Sequence, residues 1–352
     1  MIIHLDIDLS SLDPDSATFQ DTLSELIRSH RRGNHLLIIR RQLVNDLLGL
    51  GILGAADRAM LTQIASDYAQ SGDLLRSSEK YVRVVSQIDE NIRETGRAIE
   101  INFSSIARKN LLDKSVLLVE DTVSDGAFYT WVINNIVDVY NIPKVSFTVQ
   151  HGGGERTAAV LKKEIEDGRI ICTIVDTDKY APSERVAKKT DQLNKIIKDE
   201  NWPFAKVFSF FCREVENMVP VEVIRFLPCS VERKFELSIL LNLQTNIESK
   251  NIIPRLWHYL DIKNGIDHQQ LSDIKDESDK SWLVQKIKDA GLNDQSFEVR
   301  GFGTHVIPQL MSDNAALNEL RSIIRSSPWT CFFGEAIAKF AWMGVCPRRQ
   351  FV

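Results

Sequence analysis

The sequence predicts an α/β protein: a parallel sheet flanked by helices, preceded by an N-terminal α/β region and followed by a mostly helical C-terminal region. Two observations carry the sheet. From Lys114 to about Leu227, short apolar runs alternate with helical segments, the pattern of strands joined by right-handed crossovers. The polar residues that stand out there fall at the carboxyl ends of those runs, where parallel sheets place their ligands. The composition shifts divide the chain at 1–111, 112–230 and 231–352.

In the N-terminal region, Ile2 to Ile7 and His35 to Arg40 read as strands around a helix from Asp15 to Arg31. Asp13, Pro14 and Asp15 suit a helix start, and Gly33 follows its end. Gln42 to Val85 reads as mostly helical, broken near Gly49 to Gly51 and at Gly72. Asp6 and Asp8, spaced i, i+2, read either as solvent-facing acids on an edge strand or as a metal pair of another nuclease type.

In the middle region, Val116–Val119 is a strand leading to a helix Gly126–Val137, and Val145–Val149 a strand leading through His151-Gly-Gly-Gly154 to a helix Glu155–Glu166. Ile170–Val175 is a strand leading to a helix Ser183–Asp199, and Ala205–Phe211 a strand leading to Glu214 and a further helix. Beyond Glu232 the pattern is helical at Phe235–Leu243, Ile253–Leu260, Asp279–Ala290, Ala315–Ile324 and Phe333–Trp342. Asp267–Lys280 reads as a solvated face or loop. The aromatic-rich tail from Trp329 is expected to dock on the body rather than stay disordered.

The 352 residues, 43% apolar, suffice for a large core. A net charge of −5 argues against a chain-wide nucleic-acid surface while leaving local basic patches open. Five scattered cysteines without a CxxC fit reduced thiols in a cytoplasm. The opening MIIHLDIDL lacks the basic end and long apolar core of a signal peptide. No apolar run reaches the roughly 20 residues that cross a bilayer. The expectation is a cytoplasmic protein without a membrane.

The chemistry concentrates in two strand ends, SVLLVED at 115–121 and IICTIVDTDK at 170–179. Alternate side chains at a strand end point the same way, so Asp176 and Asp178 are expected to converge with Glu120 and hold a divalent metal. Carboxylate oxygens suit Mg²⁺ or Mn²⁺, which polarises a phosphodiester and acidifies the attacking water. The three glycines after His151 let backbone approach a phosphate. Lys179 and Arg213 read either as phosphate contacts or as solvated charges, and the basic residues of Ser183–Asp199 either as a backbone guide or a solvent face. His151 reads as a surface histidine or a general base.

VLLVED, HGGG, IVDTDK and REVENMVP together resemble the Toprim fold of topoisomerases, primases and OLD-type nucleases, closest to the OLD-like branch of bacterial defence proteins. The resemblance covers about a third of the chain. It implies that Glu120, Asp176 and Asp178 bind Mg²⁺, with Lys179 beside them. It also implies that Glu216, in Glu214-Val-Glu216-Asn217, is a further metal ligand or a supporting partner. The implied activity is a metal-dependent endonuclease acting on DNA or RNA in antiviral defence. With no Walker A motif in the chain, an ATPase would be a separate partner. The chain departs from the family in having Asp121 where glycine usually follows the glutamate, and Asp125 five residues after Glu120 rather than four. These departures leave room for a non-catalytic Toprim-like module acting with a partner ATPase or sensor. The segment Glu120-Asp121-Thr-Val-Ser124-Asp125-Gly126 also resembles the diphosphate-ribose loop of phosphoribosyltransferases.

Overall fold

The computed structural model describes residues 1–107, 110–182, 188–244, 256–274, 276–289, 291–292, 298–326 and 329–347. It is a mixed α/β protein with two parallel-rich sheets flanked by helices. Among the described residues no helix is long and apolar enough to cross a membrane.

The first sheet holds β1 (Ile2–Leu5), β2 (Leu36–Ile39), β3 (Tyr81–Val85), β4 (Ile92–Thr95) and β5 (Ala98–Asn102) in the order β2-β1-β3-β5-β4. All neighbours are parallel except the β4–β5 hairpin, where Gly96 supplies the positive φ a tight turn needs. The helix between β1 and β2 runs Ala17–Arg31, later than expected. Ser16 caps it by accepting a hydrogen bond from the Phe19 amide. The stretch from Gln42 does form helices Arg41–Gly49, Ala55–Ser71 and Leu74–Ser77, but Tyr81–Val85 is the central strand β3. Its sequence YVRVV alternates burial with period two, which overrides the helical reading.

Asp6 lies just past β1 rather than within a strand. It pairs with Arg40 and with Arg83, Arg83 pairs with Glu100, and Glu100 with Arg93. His4, Arg83, Glu100 and Arg93 share one register row across β1, β3, β5 and β4. Asp8 caps a short 3-10 turn, its carboxylate accepting from the Ser10 amide. Both acids are thus spent on structure.

The second sheet holds β6 (Val116–Val119), β7 (Thr148–His151), β8 (Ile171–Ile174) and β9 (Ala205–Phe208), all parallel, in the order β7-β6-β8-β9. β6 and β8 are buried on both faces, as their mostly apolar runs require, Thr173 alone interrupting β8. β7 begins at Thr148, not Val145, because the backbone before it is taken by the tail. Val145 bridges antiparallel to Val345, the Ser146 amide donates to the Gly344 carbonyl at 2.9 Å, and the Cys346 amide donates to the Lys144 carbonyl at 2.8 Å. β9 stops at Phe208, since Phe210 and Phe211 turn into an aromatic cluster with Phe333. The crossover helices are Ala127–Ile136, Thr157–Glu166 and Lys188–Glu200; 183–187 lie outside the described residues.

In the C-terminal region the helices are Lys234–Gln244, His268–Asp273, Glu277–Asp289, Val306–Ser312, Asn314–Ile324 and Glu335–Ala341. The expected helix Ile253–Leu260 lies partly outside the described residues, and Leu256–His258 is a single 3-10 turn. The polar stretch after Asp267 is helical for much of its length and buries Asp279. A small antiparallel pair, β10 (Gly265–Asp267) and β11 (Glu298–Arg300), completes the fold. The tail docks as expected: Trp329 Nε1 donates to the Met218 carbonyl at 2.9 Å, Ser115 Oγ donates to the Met343 carbonyl at 2.6 Å, and Phe340 packs on Phe208.

Candidate functional site at the carboxyl edge of the second sheet

Each of the four strands of the second sheet delivers a polar segment to the same edge. β6 is followed by Glu120, which Lys189 Nζ contacts from the first turn of Lys188–Glu200. The chain then makes a π-helical turn, Thr122–Gly126. Asp121 caps it: its carboxylate accepts from the Val123 amide at 3.2 Å, the Ser124 amide at 3.0 Å and Ser124 Oγ at 2.6 Å. The Ser124 hydroxyl bond, followed by the amide bonds, holds the Asp121 pKa below its usual value against burial. Asp125 folds back so that its Oδ2 accepts from the Asp121 amide at 3.0 Å, and burial raises its pKa. Asp121 therefore stands where the resemblance leads one to expect glycine because this turn uses its side chain as a cap. Gly126 ends the turn against β7, where a Cβ would lie 2.6 Å from Val149 Cγ1.

β7 delivers the glycine run. The Gly152 amide donates to the Val119 carbonyl at 2.7 Å and the Gly153 amide to the Glu120 carbonyl at 3.2 Å, so the loop is laced across the exit of β6. A Cβ on Gly152 would sit 3.0 Å from the Val119 carbonyl oxygen and 2.6 Å from Thr157 Oγ1. These two amides are committed to the strand end, which gives the glycines a packing role. The crossover helix starts at Thr157, after a 3-10 turn Gly154–Arg156, and His151 is the exposed last residue of β7.

β8 delivers Asp176, Thr177 and Asp178, and here the geometry departs from strand alternation. β8 stops at Ile174, and Asp178 adopts a left-handed φ of +54°. Thr177 is buried, its Oγ1 donating to the Cys212 carbonyl at 2.6 Å. Asp178 is exposed, its backbone held by Arg213: its amide donates to the Arg213 carbonyl at 3.1 Å, and Arg213 Nη1 donates back to the Asp178 carbonyl at 2.7 Å. Asp176 faces the site. Burial drives its pKa well up, and the charges of Asp125, Glu120, Glu216 and Glu214 drive it further. Asp176 thus feels the charges of Asp125, Glu120, Glu216 and Glu214, while Asp178 is exposed and Lys179 half-buried.

β9 is followed by the 3-10 turn Val215–Met218. The Glu214 amide donates to Asn217 Oδ1 at 2.8 Å, and Asn217 Nδ2 donates to the carbonyls of Trp257 at 2.6 Å and Leu260 at 2.9 Å. Asn217 thereby ties the sheet to the segment that carries Lys263. Lys263 Nζ lies 3.3 Å from both Glu214 Oε2 and Glu216 Oε1. The contact to Glu214 is an ion pair at that distance without hydrogen-bond alignment, and Glu216 Oε2 is buried with no hydrogen-bond partner. Burial pushes the Glu216 pKa up to about 7 against the pull of Lys263. Burial alone would lower the Lys263 pKa, but Glu216, Glu214 and Asp176 together hold it raised. Arg213 braces the corner, with Nε 3.2 Å from Glu214 Oε1, Nη2 3.5 Å from Asp261 Oδ2, and its guanidinium 4.2 Å above the Tyr180 ring.

No family model, curated protein or solved structure matches this chain.

Among the described residues, no group of three or more His, Cys, Asp or Glu stands together as a ready metal site. The acids lie near enough to shift one another's protonation, and lysines neutralise two corners of the group. Every acid here is a carboxylate, the donor type a hard divalent ion prefers, and Glu214 Oε2 and Glu216 Oε2 are buried without a hydrogen-bond partner, but among the described residues the acids do not stand together as a metal group. Lys263 went unnoticed in the sequence because a lysine in an Asp-Ile-Lys-Asn-Gly turn looks like any surface turn. Only the folded chain brings it to Glu216.

Proposed function

We propose that this protein is a Mg²⁺- or Mn²⁺-dependent nuclease of the Toprim, OLD-like type that hydrolyses phosphodiesters of DNA or RNA in the bacterial cytoplasm as part of antiviral defence. The observation that supports it is the delivery of acids to the carboxyl edge of one four-stranded parallel sheet, Glu120 after β6, Asp176 after β8, and Glu214 and Glu216 after β9. Asp176, Glu120 and Asp125 would hold the ion, with Glu216 and Glu214 beside them. The ion would polarise the scissile phosphate and acidify the attacking water. Lys189, already against Glu120, and Lys179 supply positive charge for the substrate backbone. A separate ATPase partner would supply regulation.

The test uses the purified full chain with Mg²⁺ or Mn²⁺ on plasmid, linear and single-stranded DNA and RNA, alone and with an ATPase partner. Asp176→Asn should cut cleavage by more than the roughly 10–100-fold that loss of an outer-shell partner costs. Absence of cleavage on every substrate by the unaltered chain rejects the activity.

One observation favours a non-catalytic module acting with a partner. Lys189 already pairs with Glu120, Lys263 with Glu214 and Glu216, and Arg213 with Glu214. In that case Asp176→Ala combined with Asp178→Ala would leave biological protection intact. The phosphoribosyltransferase reading needs the Asp121 carboxylate for ribose hydroxyls, whereas here it caps its own turn. Binding of phosphoribosyl diphosphate that Asp121→Ala abolishes would revive it.

A further inference from the structure

We propose that the aromatic cavity beside the Val215–Met218 turn binds a small organic cation, an ammonium group carried on an aryl or alkyl body. The site does not depend on the acids of the sheet edge or on a metal. Three observations carry it.

First, the cavity has the size of a ligand site. It measures about 510 Å³ and lies between Val215–Met218, the 3-10 turn Leu256–His258, the helix Asn314–Ile324 and a π-helical turn, Thr330–Gly334. Pockets for small molecules hold roughly 300–1,000 Å³. π-helical turns are rare and recur at functional sites. This one sets Phe332 and Phe333 in succession against the His258 ring, with centroids at 4.7 and 5.8 Å, and Trp329 packs on Phe333 at 5.3 Å. Trp257, Trp329 and Phe333 make a buried floor, and Phe332, Leu241 and Ile323 a half-buried rim.

Second, the floor is rigid and its donors are spent. Trp257 Nε1 donates to the Val219 carbonyl at 2.8 Å and Trp329 Nε1 to the Met218 carbonyl at 2.9 Å, so adjacent carbonyls pin both indoles. Asn217 Nδ2 donates to the carbonyls of Trp257 and Leu260, and Ser326 Oγ to the Ile323 carbonyl at 2.6 Å. An anionic ligand would find each of these donors already committed.

Third, the charges that line the cavity are carboxylates. Among the described residues the lining holds Glu222 and Glu319 and no lysine or arginine. His258, the other ionisable group there, is buried among the rings of Phe211, Phe332 and Phe333. Arg225 approaches Glu319 from outside the lining. Its Nη2 stands 3.8 Å from Oε1, beyond hydrogen-bond length, and its guanidinium lies 4.8 Å over the Phe226 ring. Aromatic faces beside a carboxylate attract a cation through ring quadrupole and charge together. Glu319 and Phe332 are both half-buried on the lining, the groups an entering ligand meets first.

Calorimetric titration of the full chain at neutral pH and low salt decides the matter, with three probes: phenethylammonium, its neutral isostere 2-phenylethanol, and the anion phenylacetate. The cation should bind, the alcohol should bind at least about tenfold more weakly, and the anion should not bind. Glu319→Gln should weaken the cation about tenfold and leave the alcohol unchanged, whereas Phe332→Ala should weaken both. A blocked lysine peptide carries the same ammonium; tighter binding of the peptide assigns the site to a protein side chain, and tighter binding of phenethylammonium to a free amine. Circular dichroism checks that each variant is folded. If Glu319→Gln is not, Ser326→Phe, which fills the mouth, replaces it and should abolish cation binding. Absence of phenethylammonium binding to the unaltered chain at millimolar concentration would overturn the inference. Equal affinity for the alcohol or the anion would do the same, as would full cation affinity in folded Glu319→Gln or Ser326→Phe.

Discussion

Glu216 is buried with Lys263 against one carboxylate oxygen and nothing bonded to the other, and burial lifts its pKa to about 7. An unfolded chain releases that proton near pH 4.3. Between about pH 4.3 and pH 7 the folded protein holds a proton that the unfolded chain has lost, so stability falls as pH rises through that window and levels off above it. Asp176, Glu214 and Asp125 shift in the same direction and deepen the fall. Asp6, Glu100 and Asp121 shift the other way; they stabilise above their unfolded pKa, and that contribution is lost only as pH drops below it. Glu216→Gln should therefore flatten the decline between pH 5 and pH 7.5, by an amount on the order of 2 kcal/mol. Denaturant unfolding of both proteins at the two pH values measures it; parallel slopes would show that Glu216 ionises normally. A divalent ion at the site should reverse the decline in the unaltered protein, since it binds the ionised acids.

The elements differ in how openly the sequence announces them. Val116–Val119 and Ile171–Ile174 are buried on both faces, so a predominantly apolar run marks each, and the crossovers between them follow from strand length and spacing. Tyr81–Val85 was hidden because it follows a long helical tract, and only the alternation of its burial betrays it. Glu120, Asp176 and Glu216 were legible as strand-end acids. The orientation of Asp178 was not, since it turns on a backbone conformation four residues beyond the strand. Lys263 was illegible because the bonds that bring it to the site run through Asn217 and Arg213, distant in the chain. The glycine run shows how little room these connections leave. At Gly152 an added methyl meets the Val119 carbonyl and Thr157 Oγ1, whereas at Gly154 it meets open space but a φ of +62°. Gly152→Ala should cost about 1–3 kcal/mol through overpacking. Gly154→Ala should cost about 1–2 kcal/mol through backbone strain alone. Because Gly152 and Gly153 lie across the exit of β6, Gly152→Ala should also weaken Mn²⁺ binding, while Gly154→Ala should leave it unchanged. Equal metal affinity in the two variants would separate the glycine loop from the placement of Glu120.

Across the molecule, the tail joins parts that the sequence divides into three regions. Ser115 at the start of β6 donates to the Met343 carbonyl, and the backbone before β7 pairs with residues 344–346. Trp342 and Met343 share a small cleft with Ile99 of the first sheet and Phe204, just before β9 of the second. Ser29 and Asn34 both donate to the Leu112 carbonyl, tying the first sheet's helix to the entry of β6. The buried apolar side chains of all three regions form one continuous cluster. Phe340 lies in it, fully buried, with its ring 5.5 Å from Phe208 and 6.3 Å from Tyr129. Removing that ring should cost about 3–5 kcal/mol, because the cavity left behind cannot be filled by its equally packed neighbours. If the core is shared, the loss spreads. In Phe340→Ala, amide hydrogen exchange should accelerate in Ile2–Leu5 and Tyr81–Val85 as well as in Val116–Val119 and Ile171–Ile174. Faster exchange confined to the second sheet would instead mean that the N-terminal region opens and closes on its own, and that the tail serves only the sheet bearing the acids.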